Sequence, residues 1–246
     1  METMRLALLQ YDPTFENCAF ARDRIEALTS GLSCDLLVLP EMTLSGFSMN
    51  PSVATLDPAD LDWYRGLACR LACGIVFGAV EDGRNVVALL GRDGRRLGSY
   101  AKRHLFGLGG EARTYRHGTE VDSWDFEGWR ILPAICYDLR FSYHFWDRAA
   151  QTDLVLVPAN WPGSRREHWR ALLQARAIEN QVPVAGCNRL GSDATLRYTG
   201  DSLAFDAQGR ILSDAGAAEG VFSCVVDRGH TAETRRRFPF LEDRLA

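Results

Sequence analysis

Two short apolar runs in this chain answer each other, and they constrain its fold more than any other feature. Asp35-Leu36-Leu37-Val38-Leu39-Pro40 is echoed by Asp153-Leu154-Val155-Leu156-Val157-Pro158. Runs this short, uninterrupted by charge and rich in branched residues, read as buried strands rather than helices. The segments after each run repeat as well. After the first come a loop, a helix over 58–73 and a strand over 74–80. Strands over 85–90 and 95–100 then form a hairpin around Arg92-Asp93-Gly94, because Asp-Gly is a strong turn signal. After the second run come a helix over 165–180, a strand over 182–187, and a hairpin of 202–205 with 211–213. A strand over 5–10 and a helix over 17–28, with Phe20, Ile25 and Leu28 facing inward, precede the repeat. A strand over 221–226 closes the sheets. A period this long means two similar half-domains, not a short-repeat array. Two sheets packed face to face, each with helices outside, satisfy both halves. The expected fold is therefore a four-layer α-β-β-α sandwich, one domain over residues 1–246. A single doubly wound sheet is the alternative, but no Gly-x-Gly-x-x-Gly follows any strand.

Composition narrows the functional classes. With 46% hydrophobic residues the chain can bury a core without staples. A formal net charge of -4 gives no basic field for nucleic acid or anionic lipid. Arg165-Arg166 and Arg235-Arg236-Arg237 read as solvated helix faces. The cysteines number 7, odd and without paired spacing, as expected of free thiols in a reducing cytoplasm. Cys69 and Cys73, four apart on the 58–73 helix, read as core, since no neighbouring His or Cys completes a zinc set. The first residues hold too short an apolar run for a signal peptide, and no stretch approaches the roughly 18 apolar residues of a membrane span. No His-Glu-x-x-His pattern supports a metal. Neither metal nor cofactor is expected, and the partner in view is a small molecule.

The polar residues that close the strands carry the chemistry. Residues 131–135 form a buried strand that ends at Cys136, where a ligand would sit at the carboxyl end of a sheet. Unbonded N–H groups at a following helix start would lower the thiol pKa and could hold an oxyanion. Glu41 closes the first echo strand and Lys102 follows the first hairpin. A charge closing a buried strand is costly unless paired or used. Together the three supply a nucleophile, a proton carrier and an oxyanion partner for acyl transfer. A Glu41–Lys102 ion pair beside an inert thiol explains the same residue types, and on types alone the two readings stand level. The five histidines invite a Cys–His dyad, but no partner motif places one beside Cys136. A redox sensor would need a resolving thiol, for which Cys187 is the candidate in space.

Three motifs then carry a resemblance. Leu39-Pro40-Glu41-Met42, Tyr100-Ala101-Lys102-Arg103-His104-Leu105-Phe106 and Ile135-Cys136-Tyr137-Asp138-Leu139-Arg140-Phe141 resemble, in order and spacing, the signatures of the nitrilase-superfamily carbon–nitrogen hydrolases. Gly46-Phe47-Ser48-Met49, Ala159-Asn160-Trp161-Pro162 and Arg176-Ala177-Ile178-Glu179-Asn180-Gln181 are similar to the bacterial omega-amidases within that superfamily. The resemblance implies the same sandwich fold and hydrolysis of the terminal amide of short 2-oxo acids such as 2-oxoglutaramate and 2-oxosuccinamate, through a Cys136 thioester. It implies Glu41 as general base, Lys102 and the N–H of Tyr137 at the oxyanion, Cys136 as nucleophile, and Glu111 holding Lys102 or the substrate amide. It further implies homodimers or larger assemblies. Arg140 is the candidate for the substrate carboxylate, with a structural pair to Asp138 as its alternative. Phe141 and Trp161 are candidate pocket walls and Asn160 a candidate hydrogen-bonding group. Nitrilases and N-carbamoyl amide hydrolases share the same three groups and stay open as alternatives. Ala101 and Ser142 depart from the pattern, as does the glycine-rich stretch 107–110, which reads as a mobile loop.

Overall fold

The computed structural model describes residues 2–244. Its first sheet contains β1 (Thr3–Gln10), β2 (Leu36–Val38), β3 (Gly74–Glu81), β4 (Arg84–Leu90) and β5 (Arg96–Ala101). The second contains β6 (Trp124–Phe126), β7 (Trp129–Pro133), β8 (Leu154–Ala159) and β9 (Val184–Asn188). After a small ribbon of β10 (Leu190–Ser192) and β11 (Arg197–Thr199), β12 (Leu203–Phe205) and β13 (Ile211–Asp214) complete it. The chain then returns to the first sheet as β14 (Gly220–Asp227), antiparallel to β1.

The echo in sequence is an echo in topology. The first sheet runs β14-β1-β2-β3-β4-β5 and the second, read from its other edge, β6-β7-β8-β9-β12-β13. In both, strands two to four are parallel and each outer pairing is antiparallel. The echoed runs are β2 and β8, each a central parallel strand. Central strands of a covered sheet are buried on both faces, which is why both runs are continuously apolar.

Alternation along the strands builds the layers. Leu6, Leu8, Leu36 and Val38 face the second sheet, packing in one core with Ile131, Leu154, Leu156 and Ala185. Ala7, Leu9, Leu37 and Leu39 point the other way, against Ala21 and Ile25 of helix Cys18–Thr29 and Tyr64, Leu67 and Ala68 of helix Pro58–Leu71. Trp169, Leu173 and Ala177 of helix Arg166–Asn180 cover the second sheet. This is the α-β-β-α sandwich. The helices begin where side chains cap them: Asn17 accepts from the Phe20 N–H, and Asp57, just before Pro58, from the Asp60 N–H.

Two inward assignments are corrected. Phe20 is exposed, because it sits five residues from Ile25 and so lies off the stripe that Ala21 and Ile25 make four apart. Cys69 is exposed too, while Cys73 is buried. The helix ends at Leu71 and Ala72 turns left-handed at φ 49°, so helical spacing does not carry from Cys69 to Cys73.

Candidate active site

The carboxyl ends of β2, β5, β7 and β8 meet at one end of the sandwich, and each is followed by a functional side chain: Glu41, Lys102, Cys136 and Asn160. The Glu41 loop is strapped onto β3. Gly78 donates to the Thr43 hydroxyl and accepts from the Thr43 N–H, both at 2.9 Å. A Cβ at Gly78 would lie 2.4 Å from the Met42 nitrogen, so only glycine lets the loop lie this close. Met42 itself has φ 44°. Cys136 opens a single 3-10 turn, Cys136–Arg140, with φ 45°. Positive φ at a non-glycine residue is strain of the kind that collects at functional sites.

Lys102 is 0% exposed and lies between two carboxylates. Its Nζ donates to Glu41 Oε1 at 2.8 Å and to Glu111 Oε1 and Oε2 at 3.1 and 2.9 Å. Burial alone would drop the pKa of this ammonium, but the carboxylates of Glu111 and Glu41 outweigh it and hold the value raised. The Lys102 cation is thus permanent. Asn85, on β4, joins the two carboxylates through one amide nitrogen, 2.7 Å from Glu41 Oε1 and 2.7 Å from Glu111 Oε1. Glu111 Oε2 also accepts from the Phe106 N–H at 2.6 Å. The glycine-rich stretch before it forms the turn Gly107–Gly109, and Gly110, at φ 80°, leads into the short helix Glu111–Thr114 that aims the carboxylate at Lys102. On its far side Glu41 Oε2 accepts from the Asn160 N–H at 2.9 Å, and Asn160 Nδ2 donates to the Glu41 carbonyl at 2.7 Å.

Cys136 is 8% exposed and borders a small cavity walled by Phe47, Phe106, Tyr137 and Trp161. Burial first, and the Glu41 carboxylate second, push its thiol well above the ordinary value, against the pull of Lys102. This reverses the expectation of a lowered thiol. A single 3-10 turn lacks the aligned peptides of a long helix, and burial wins. Burial thus favours the protonated form of this sulfur.

A second network holds the Cys136–Arg140 turn to β5. Asp138 accepts from the Tyr100 hydroxyl at 2.8 Å, the His104 N–H at 2.9 Å and the Ile135 N–H at 3.0 Å. Its Oδ1 is also 2.7 Å from His104 Nδ1. Burial would raise this carboxyl, but the His104 bond, His144 and the Ile135 N–H hold it below the usual carboxylate range. Asp138 is therefore engaged inward and does not pair with Arg140. Arg140 instead reaches the cavity, its guanidinium 4.7 Å from the Trp161 ring centre and 3.3 Å from His168 Nδ1.

The structure brings Glu41, Lys102, Glu111 and Cys136 into one cluster, with Tyr137, Arg140, Asn160 and Trp161 lining the adjoining cavity. Phe141 is not in that lining. It ends the 3-10 turn and stacks on His104 at 3.9 Å, supporting Tyr137 from behind. Arg165, read as a solvated helix face, lines the cavity with Phe47, Phe106 and Tyr198. Asn85, Asp138 and Arg165 are the residues that sequence reasoning missed. Asn85 and Asp138 each carry a faint signal, a polar residue at full burial beside an apolar run; Arg165 carries none.

Comparison with known proteins agrees with this geometry. The carbon-nitrogen hydrolase family model matches residues 5–236. Omega-amidase YafV of Yersinia enterocolitica is 40% identical, over 99% of this chain and 97% of its own. A 2-oxoglutaramate amidase of Bacillus subtilis is 34% identical, over 97% of this chain and 96% of its own. The crystal structure of XC1258 from Xanthomonas campestris, a CN-hydrolase superfamily protein with an arsenic adduct in its active site, superposes with a TM-score of 0.94. It shares 35% identity and covers 100% of this chain and 98% of its own. Motifs, sandwich and near-complete alignment coincide, and the chain belongs to the carbon–nitrogen hydrolase family.

Proposed function

We propose that this enzyme hydrolyses the terminal amide of short 2-oxo dicarboxylic acid amides, 2-oxoglutaramate and 2-oxosuccinamate, to the 2-oxo acid and ammonia. The observation that carries the reading is the buried Lys102 held between Glu41 and Glu111 beside the buried Cys136 thiol. The omega-amidase and 2-oxoglutaramate amidase relatives support the substrate class.

The chemistry follows from the polarity of the cluster. Glu41 takes the Cys136 proton as the sulfur attacks the amide carbon, so no free thiolate is needed beforehand. The carbonyl oxygen becomes an oxyanion facing the Lys102 ammonium and the Tyr137 N–H, a donor in the first turn of its segment where helix starts leave N–H groups unbonded. As the C–N bond breaks, Glu41 returns the proton to the leaving nitrogen and ammonia departs. Water then gives a proton to Glu41 and attacks the thioester. The C–S bond breaks, the acid is released and the thiol regains its proton. Glu111 keeps Lys102 in place throughout. Asn160 has one engaged amide nitrogen and a buried Oδ1 without a partner among the described residues, suited to accept from the substrate amide. Arg140 receives the carboxylate, for which an arginine fork is well shaped.

Ammonia release is expected from both 2-oxo acid amides, and release from small nitriles or ureido acids is expected to be far slower. Catalysis of nitriles or ureido acids alone would transfer the enzyme to the nitrilase or carbamoyl-hydrolase class. Homodimers belong to the same proposal. Trp146, Ile178 and Phe240 are all exposed, and the Arg244 guanidinium lies 3.9 Å from the Trp146 ring centre and bonds the carbonyls of Trp146 and Glu179. Apolar surface of this kind is what a second copy covers. Sedimentation at the mass of one chain would remove that part.

A further inference from the structure

The cavity carries more positive charge than the chemical step requires. Lys102 is balanced by two carboxylates, but Arg140 and Arg165 also line the cavity, and neither is paired with an acid among the described residues. Their neighbours in sequence behave differently. Arg166 turns outward onto Asp201, 2.7 Å from Oδ2, because the turn Gly163–Arg165 ends where the helix begins and sends adjacent side chains to opposite sides. Arg165 turns inward and rests over the Phe106 ring at 5.1 Å, while its carbonyl accepts from the Trp161 indole N–H at 2.8 Å. No Asp or Glu lines the cavity. Asp193, bonded to the lining residue Tyr198 through its hydroxyl at 2.7 Å, is also engaged by the N–H groups of Thr195 and Leu196.

We infer that Arg165 is a specificity-determining residue which, with Arg140, grips the 2-oxo-carboxylate end of the substrate and so selects 2-oxo acid amides against 2-amino acid amides. This rests on the amidase reading above. A 2-oxo acid presents three oxygens, two of them a carboxylate and the third an acceptor beside it, and two guanidinium groups supply donors for all three. Glutamine has an ammonium group where that third oxygen stands. Two cations without a free acid repel it, and a donor meets a donor. Discrimination by an unmatched polar group is stronger than discrimination by size.

The test compares kcat/KM for 2-oxoglutaramate, glutamine and pentanamide in wild type, Arg165→Gln and Arg165→Lys. In the glutamine variant the selectivity for 2-oxoglutaramate over pentanamide is expected to fall about 10- to 100-fold, the worth of a charge-assisted hydrogen bond. The fall should sit in KM, and selectivity over glutamine should fall with it. Arg165→Lys is expected to recover only part, since an ammonium keeps the charge but loses the fork. An equal loss on all three amides, leaving the ratios unmoved, would mark Arg165 as structural and overturn the inference. An unchanged KM for 2-oxoglutaramate would do the same. Failure of the amidase reading looks different: wild type would then prefer pentanamide to 2-oxoglutaramate, and the grip would fall with it.

Discussion

The Cys136→Ala variant is expected to release ammonia from 2-oxoglutaramate at no more than about one-thousandth of the wild-type rate, because no other group can form the acyl intermediate. Its melting temperature is expected to stay within about 3 °C of wild type. Alanine meets the same strain as cysteine at φ 45°, and only one buried sulfur is lost. Inactivity without unfolding separates the nucleophile from the inert-thiol reading, in which the substitution would leave turnover intact. The variant also isolates the thiol's protonation. Alkylation by iodoacetamide, taken as wild type minus variant so that exposed Cys69 cancels, reports Cys136 alone. Burial and Glu41 raise this pKa, so the thiolate fraction keeps growing as pH rises through 9.0, the ordinary thiol value. The rate should climb across that range. A plateau near neutral pH would mean a resting thiolate, and Glu41 would then not be needed as the base for attack.

The parts of this site that were legible in sequence share a local cause. A buried parallel strand must be apolar on both faces, so the residue that follows it stands out when it is polar. Glu41 after β2, Cys136 beyond β7 and Asn160 after β8 are of that kind, and the β2–β8 echo gave the sandwich because each half repeats the same pairing order. The Asp-Gly turn gave the β4–β5 hairpin, and with it the position of Lys102.

What stayed hidden depends on distances between strands far apart in the chain. Asn85 looks like any polar residue opening a strand, and only the fold puts its amide nitrogen between Glu41 and Glu111. Asp138 and Arg140, two apart, suggest a local pair, yet a 3-10 turn sends one inward to Tyr100 and the other to the cavity. Arg165 and Arg166 diverge for a similar reason. The direction of the Cys136 pKa shift is opposite to the one expected because burial, which outweighs the turn's dipole, is a property of the assembled sandwich. Phe20 and Cys69 are simpler misses, decided by the edge of a helical stripe and the end of a helix.

Lys102→Met should be the most damaging single change to stability, at about 3–5 kcal/mol, the usual cost of removing one partner from a buried charge cluster. Domains of ordinary stability hold about 5–15 kcal/mol in all, so the variant would sit near the edge of folding. The carboxylates of Glu41 and Glu111 would then face each other with Asn85 Nδ2 as the one donor common to both, at full burial. Removing one of the two negative charges relieves the repulsion. A double variant, Lys102→Met with Glu111→Gln, tests the same point by substitution. The glutamine side chain keeps an acceptor for the Phe106 N–H while dropping one negative charge. Much of the stability should return, yet turnover should stay lost, since the oxyanion has still lost its cation. In the proposed mechanism stability and catalysis separate in this pair because the Lys102 ammonium has both tasks, neutralising Glu111 at rest and the oxyanion during reaction. If Lys102→Met were as stable as wild type, the two carboxylates would not be sharing a charge that only Lys102 balances, and the role of Glu111 as its anchor would fall.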